Sequence, residues 1–241
     1  MKALVFPLLL AVSLSAQRTP VLVELFTSEG CSSCPPADAL LIQLERQPIT
    51  NAEIIVLSEH VDYWNRLGWT DPFSSAEFSR RQSRYSEAWG KDGVYTPQMV
   101  VDGHAEFNGS DGRKAQQAIA RAAQEKKAVV KLVLAGDRLH VEVTELPQST
   151  DAEVLLAITE ANLTSDVRRG ENSGRSMAHT GVTRRLEIIG TVKPGAPFSA
   201  DPKLALARNW KRADLRAVVL VQERSNRRVL GAAAISLAPL Q

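Results

Sequence analysis

The hydrophobic pattern changes character twice along the chain. Val21-Leu22-Val23-Glu24-Leu25-Phe26 is apolar on both parities and partly β-branched, which predicts a strand buried on both faces. Ala37, Leu40, Leu41 and Leu44 follow at i, i+3, i+4 and i+7, one apolar face of a helix whose first turn accepts Pro35 and Pro36. Glu53-Ile54-Ile55-Val56-Leu57-Ser58 predicts a second strand, and the β-α-β unit so formed implies a parallel pair with a right-handed crossover. An aromatic-rich insertion over 60–93 comes next. In it, Ser74-Ser75-Ala76-Glu77 reads as a capping box opening a helix over about 75–89, with Gly90 to end it. Phe78, Tyr85 and Trp89 share one side of that helix, as a core stripe or as the lining of a substrate groove. Asp102-Gly103 separates two short apolar runs and predicts a hairpin. Ser110 or Asp111 then caps a helix that buries Ala115, Ala118, Ile119 and Ala122.

Beyond Lys126-Lys127 the helical period disappears. Leu139, Val141 and Val143 alternate with polar neighbours, Val130, Leu132 and Leu134 precede them across a turn, and further strands fit about 153–160, 182–190, 215–223 and 228–236. Short strands between turn signals predict a β-sandwich over 126–241, following an α/β domain over 20–125. The charge agrees with two units of different character: residues 1–125 carry a net −4 and residues 126–241 a net +6. The total of +2 gives no global attraction to nucleic acid, and 44% hydrophobic residues argue against disorder. Lys2, the apolar stretch Ala3 to Leu14 and the small residues Ser13-Leu14-Ser15-Ala16 read as a signal peptide over 1–16. The expected location is therefore periplasmic or secreted, without stable membrane insertion after cleavage.

Both cysteines of the chain sit in Cys31-Ser32-Ser33-Cys34, between the first strand and the first helix. A thiol at a helix N-terminus meets unpaired N–H groups and the positive end of the dipole, which favour the thiolate. Cys31 is the expected nucleophile and Cys34 the expected resolving thiol, with a protein or a small thiol or disulfide as client. Two other uses stay open: an inert disulfide, and a copper(I) delivery or binding module in which His60 joins the two thiolates. The reading assigns no cofactor and no resident metal. His60 directly follows the second strand and so belongs at the same sheet edge as Cys31, where it would act on a thiol or anchor the insertion by hydrogen bonds. Glu24 is a candidate buried proton acceptor for Cys34. The polar stretch 167–180 carries three arginines and His179, and it suits a fold over the redox pair, an anion site or a plain exposed loop.

A Cys-x-x-Cys at a helix start, a Thr-Pro opening an antiparallel hairpin and a closing helix together resemble the thioredoxin fold. That resemblance implies a cis proline at Pro97, packed near the redox pair, with Thr96 before it. Leu25 to Asp38, Glu59-His60-Val61-Asp62-Tyr63-Trp64 with Gly68-Trp69, and Tyr95-Thr96-Pro97-Gln98 are similar, more narrowly, to the exported bacterial family known as domain of unknown function 1223. Val167 to Thr180 extends that similarity into the second half. The implied class is a thioredoxin-like α/β domain with a helical insertion, followed by a β-sandwich-like all-β domain, acting as an exported thiol–disulfide oxidoreductase. Two serines between the cysteines depart from the Trp-Cys-Gly-Pro-Cys of thioredoxin, so no redox potential carries over.

Overall fold

Strand β1 (Thr19–Thr27) and strand β2 (Ala52–His60) pair in parallel, with Val23 opposite Val56 and Thr27 opposite His60. Helix α1 (Pro35–Arg46) makes the crossover between them. These coordinates form a computed structural model that describes residues 18–47, 49–147 and 151–239; the signal peptide expected over 1–16 lies outside the described residues. Strand alternation decides which side each residue of β1 serves. Val21, Val23 and Leu25 bury against α1 residues Leu41 and Leu44 and against Ile119 of helix α3 (Gly112–Ala122). Leu22 and Phe26 pack on the opposite side. Strand β3 (Gln98–Val101) adds antiparallel to β1, and β4 (Ala105–Asn108) closes that edge. The turn between them runs at positive φ through Asp102 and Gly103. A Cβ on Gly103 would stand 2.0 Å from the Arg227 carbonyl oxygen, so glycine is the residue that fits.

Helix α2 (Ala76–Ala88) begins one residue later than the capping box implies. Ser75 accepts the cap hydrogen bond from Glu77 N–H at 3.2 Å, while Ser74 accepts one from the Asn65 side chain at 2.9 Å. Phe78 and Tyr85 are buried, so the aromatic stripe faces the core, and Trp89 stacks on Tyr85 at 5.0 Å between ring centroids.

The expected division into a thioredoxin-like α/β domain and a separate β-sandwich is not what the chain adopts. The fold is mostly β, with thirteen strands and three α-helices among the described residues. One mixed sheet of eight strands runs through both halves. Strands β7 (Ala152–Glu160), β10 (Val182–Val192), β12 (Leu215–Glu223) and β13 (Val229–Ser236) continue the sheet of β1 and β2 in the order β13-β12-β7-β10-β2-β1-β3-β4. The junction is narrow. Val182 pairs with Ser58, and Ser58 N–H donates to the Gly181 carbonyl at 2.7 Å. Gly181 has φ +58°, and a Cβ there would stand 2.7 Å from the Val56 side chain.

The physical reason lies in β7 and β12, which bury both faces. Leu155, Ala157, Val218 and Leu220 pack with Leu22, Ile55 and Leu57 of β1 and β2. Val154, Leu156, Ile158, Val219 and Val221 pack with Leu139, Val141 and Val143. Those three come from a smaller sheet made of β5 (Val129–Ala135), β6 (Arg138–Thr144) and β11 (Phe198–Ala200). A free-standing sandwich would turn one face of each strand to water and show alternation. A short ribbon, β8 (Leu163–Asp166) with β9 (Ser176–His179), carries residues 167–175 at its tip.

Polar contacts also bind the halves. The buried Arg81 lies 2.6 Å from Glu24 and 3.2 Å from Glu59, and donates to Gln222 Oε1 at 3.1 Å. Tyr85 hydroxyl donates to Glu24, and Gln222 donates back to Tyr85 at 2.8 Å. Asp102 accepts from Leu22 N–H at 2.8 Å and faces Lys127 Nζ at 2.7 Å. No helix among the described residues is long and apolar enough to cross a membrane.

Candidate functional site

Beyond Thr27 the chain leaves the sheet through a tight turn. Cys31 N–H donates to the Ser28 carbonyl at 3.1 Å, and Cys34 N–H donates to the Cys31 carbonyl at 3.2 Å. Cys34 is the N-cap of α1, and its carbonyl accepts from the Ala37 and Asp38 amides. Cys31 and Cys34 form a disulfide across this turn, with their Cα atoms 5.4 Å apart. Once the pair is reduced, the helix N-terminus favours negative charge on these sulfurs. Ser33 Oγ lies 3.3 Å from Cys31 Sγ and adds a polar neighbour.

The peptide between Thr96 and Pro97 is cis. Gly109 shows how close Pro97 comes to α1: a Cβ built on Gly109 would stand 3.1 Å from the Cβ atoms of both Pro97 and Ala37. Trp64 bridges the gap. Its indole N–H donates to Thr96 Oγ1 at 2.8 Å, while its Cβ would stand 3.2 Å from a Cβ on Gly30.

His60 ends β2 at the expected edge, fully buried. Its Nδ1 lies 2.7 Å from Asp71 Oδ2, so the ring ties the insertion to the sheet. Asp71 also accepts from Glu29 N–H at 2.8 Å. Burial pushes the Asp71 carboxyl up, but the His60 ring and the backbone donors outweigh it and hold the group below its usual range. His179, from β9, lies edge-on to His60 at 4.9 Å between centroids and pairs through Nε2 with Glu29 Oε1 at 3.2 Å. Trp69 donates to the other Glu29 oxygen at 2.7 Å. Among the described residues, no group of three or more His, Cys, Asp or Glu is arranged to hold a metal ion.

Asp38 belongs to this cluster, and sequence reasoning missed it. An acid in the first turn of a helix ordinarily needs no more explanation than the favourable pull of the helix dipole. In the fold Asp38 lies on the buried face of α1 with Ala37, Leu41 and Leu44, one turn beyond Cys34 on the same face. Burial pushes its carboxyl up to about 7, and His179 and the Thr27 hydroxyl offset this only in part. Neither carboxylate oxygen accepts a well-formed hydrogen bond, and Thr27 Oγ1, Ser58 Oγ, His60 Nε2 and His179 Nδ1 are likewise buried without one. The available signal was an acid placed inside the apolar stripe. Glu24, in contrast, lies with Arg81 and Tyr85 on the side of β1 away from α1, so it is not a proton acceptor for Cys34.

The polar stretch folds against the Cys-Ser-Ser-Cys turn. Asn172 is fully buried, and its side-chain amide donates to the carbonyls of Glu29 and Cys31, each at 2.8 Å. Glu171 accepts from Ser32 N–H at 3.0 Å, and the Ser32 side chain together with this amide holds its carboxyl below the ordinary range. Arg168, Arg169 and Arg175 point to solvent.

Fold and site together define a β-rich, mixed-sheet protein with a buried Cys-Ser-Ser-Cys disulfide at a strand–helix junction. The chain belongs to the family described as "Protein of unknown function (DUF1223)", which matches residues 22–222. The crystal structure of protein AGR_C_4864 from Agrobacterium tumefaciens is similar at 30% identity and a TM-score of 0.76, over 93% of this chain and 97% of that one. HBP35 of Porphyromonas gingivalis is similar at 13% identity and a TM-score of 0.68, over 91% of this chain and 76% of that one, a likeness of fold alone. No curated protein matches the chain.

Proposed function

We propose that the chain is an exported thiol–disulfide oxidoreductase whose working couple is Cys31–Cys34. The observation that carries this reading is the disulfide across the turn entering α1, with the buried acid Asp38 one helical turn beyond it. As a staple, a loop of about four residues contributes only about 2 kcal/mol on the chain-entropy account. As a redox couple, the same bond has a helix N-terminus to stabilise thiolate and an acid titrating near neutrality to handle the proton. The expected signal peptide supports export, into a compartment where such pairs cycle.

In the oxidising direction, a thiolate on the client attacks Cys31 Sγ. A mixed disulfide forms, the Cys31–Cys34 bond breaks, and Cys34 leaves as a thiolate that takes its proton from Asp38. A second client thiolate then attacks the client sulfur of the mixed disulfide and releases Cys31 as a thiolate. The client has lost two electrons and gained a disulfide, and the pair is reduced. The reducing direction is the reverse. Cys31 thiolate opens a client disulfide, Asp38 accepts the Cys34 proton, and Cys34 thiolate attacks Cys31 Sγ to expel the second client thiolate.

The test compares the mature protein with Cys31→Ser and Cys34→Ser in catalysing disulfide exchange in a protein substrate with scrambled disulfides. Both variants should lose at least tenfold in rate, and Cys34→Ser should accumulate a mixed disulfide on Cys31 visible by intact mass. Equal rates for all three proteins would overturn the reading.

A further inference from the structure

Disulfide exchange needs a thiolate to approach one sulfur along the S–S axis, and here neither cysteine has any solvent-accessible surface. The far half of the chain packs on the backbone of this turn. Asn172 donates to the carbonyl of Cys31, 141 residues away, and to that of Glu29, and Glu171 takes the Ser32 amide. The segment that supplies them is closed on itself. Val167 N–H donates to the Arg175 carbonyl, Gly174 N–H to the Val167 carbonyl and Ser173 N–H to the Gly170 carbonyl, at 2.9, 2.8 and 3.2 Å. Gly170 and Gly174 make its turns at φ +76° and +82°.

The segment is anchored weakly for something that shuts a reactive bond. Only Val167 and Asn172 of residues 167–175 are buried, and the three arginines face water. Its side-chain hydrogen bonds to the redox turn are three, two from Asn172 and one to Glu171. Segments with few buried apolar contacts are the ones that open at low free energy. The ribbon β8–β9 and the His179–Glu29 pair lie at its base and give it a fixed root. The groups it occupies are backbone groups: one amide donor at Ser32 and the carbonyl acceptors of Cys31 and Glu29. An extended peptide supplies their complement, whereas a small disulfide does not.

We propose that residues 167–175 form a displaceable cap which keeps the Cys31–Cys34 pair shut, and that a protein client opens it by taking over the backbone groups held by Glu171 and Asn172. The purpose of the cap rests on the exchange reading above; its geometry does not.

The experiment measures the rate at which dithiothreitol reduces Cys31–Cys34 in the folded mature protein, in Asn172→Ala and in Glu171→Gln. Hydrogen exchange at the Ser32 amide is followed in parallel. Asn172→Ala should be reduced at least tenfold faster and Glu171→Gln several-fold faster, with unchanged circular dichroism and a less protected Ser32 amide. Glu171 is exposed, so its substitution leaves the fold intact and keeps the test valid if Asn172→Ala misfolds. Wild-type protein should also exchange with a peptide disulfide at least tenfold faster than with 2-hydroxyethyl disulfide, and Asn172→Ala should narrow that ratio. Identical reduction rates and Ser32 protection in all three proteins would overturn the cap. Faster reduction of the variants with no catalysis of client exchange would keep the cap and overturn the oxidoreductase reading.

Discussion

Asp38 is the side chain whose surroundings alter its chemistry most usefully. In the unfolded chain its carboxyl titrates near 3.8; folded, burial raises this to about 7. Between those values the folded state holds a proton that the unfolded state has released. The contribution to stability is therefore complete below the unfolded value and is lost as pH rises through the folded one. At about 1.4 kcal/mol per unit, the loss amounts to at most about 4 kcal/mol. Asp38→Asn, which cannot ionise, should flatten the stability profile between pH 4 and 8. It should also be more stable than wild type at pH 8, in urea unfolding of the oxidised protein. Parallel profiles for the two proteins would show that folding does not shift the titration of Asp38. The positions of Cys31 and Cys34 at the start of α1, of Thr96 and Pro97 before β3 and of His60 at the end of β2 were legible in the sequence because each sits in a local pattern: a strand–turn–helix junction, a strand start, a strand end. Asp38, His179 and Asn172 were not, since their partners come from segments far away in the chain.

At the scale of elements, the local grammar was sound. The β-α-β unit, the hairpin through Asp102-Gly103 and α2 with its serine cap all form within about two residues of where hydrophobic period and capping residues put them. What strand patterns do not reveal is which layer covers each face. Val154-Leu155-Leu156-Ala157-Ile158 and Ala217-Val218-Val219-Leu220-Val221 are unbroken apolar runs, the mark of strands covered on both sides. Leu155 faces β1 and β2 and Leu156 faces the smaller sheet, and both are buried. Leu155→Ala and Leu156→Ala should each lower stability by about 2–5 kcal/mol. A separate sandwich with one wet face would leave one of the two nearly neutral, so chemical denaturation of both variants decides between the architectures.

For the molecule as a whole, the shared sheet and the Arg81 cluster make the two halves one folding unit. Burial alone would disfavour charge on Arg81, but Glu24, Tyr85 and Glu59 more than compensate and keep it protonated. Burial also raises the Glu59 carboxyl well above its usual range, against the pull of Arg81. Removing the guanidinium leaves Glu24 buried without its counter-charge, which costs about 3–5 kcal/mol. Arg81→Met should show that loss, and Glu24→Gln in the same chain should recover part of it. Unfolding should remain a single transition by fluorescence and circular dichroism in every variant. Two transitions would show that residues 20–125 and 126–241 are independent after all.

The most direct measurement of the central claim is the reduction potential of Cys31–Cys34 in the mature protein, equilibrated in glutathione and dithiothreitol buffers. The account predicts a value between about −270 and −120 mV, where the pair cycles with protein thiols. A value below about −300 mV would make it a locked structural bond and contradict the account.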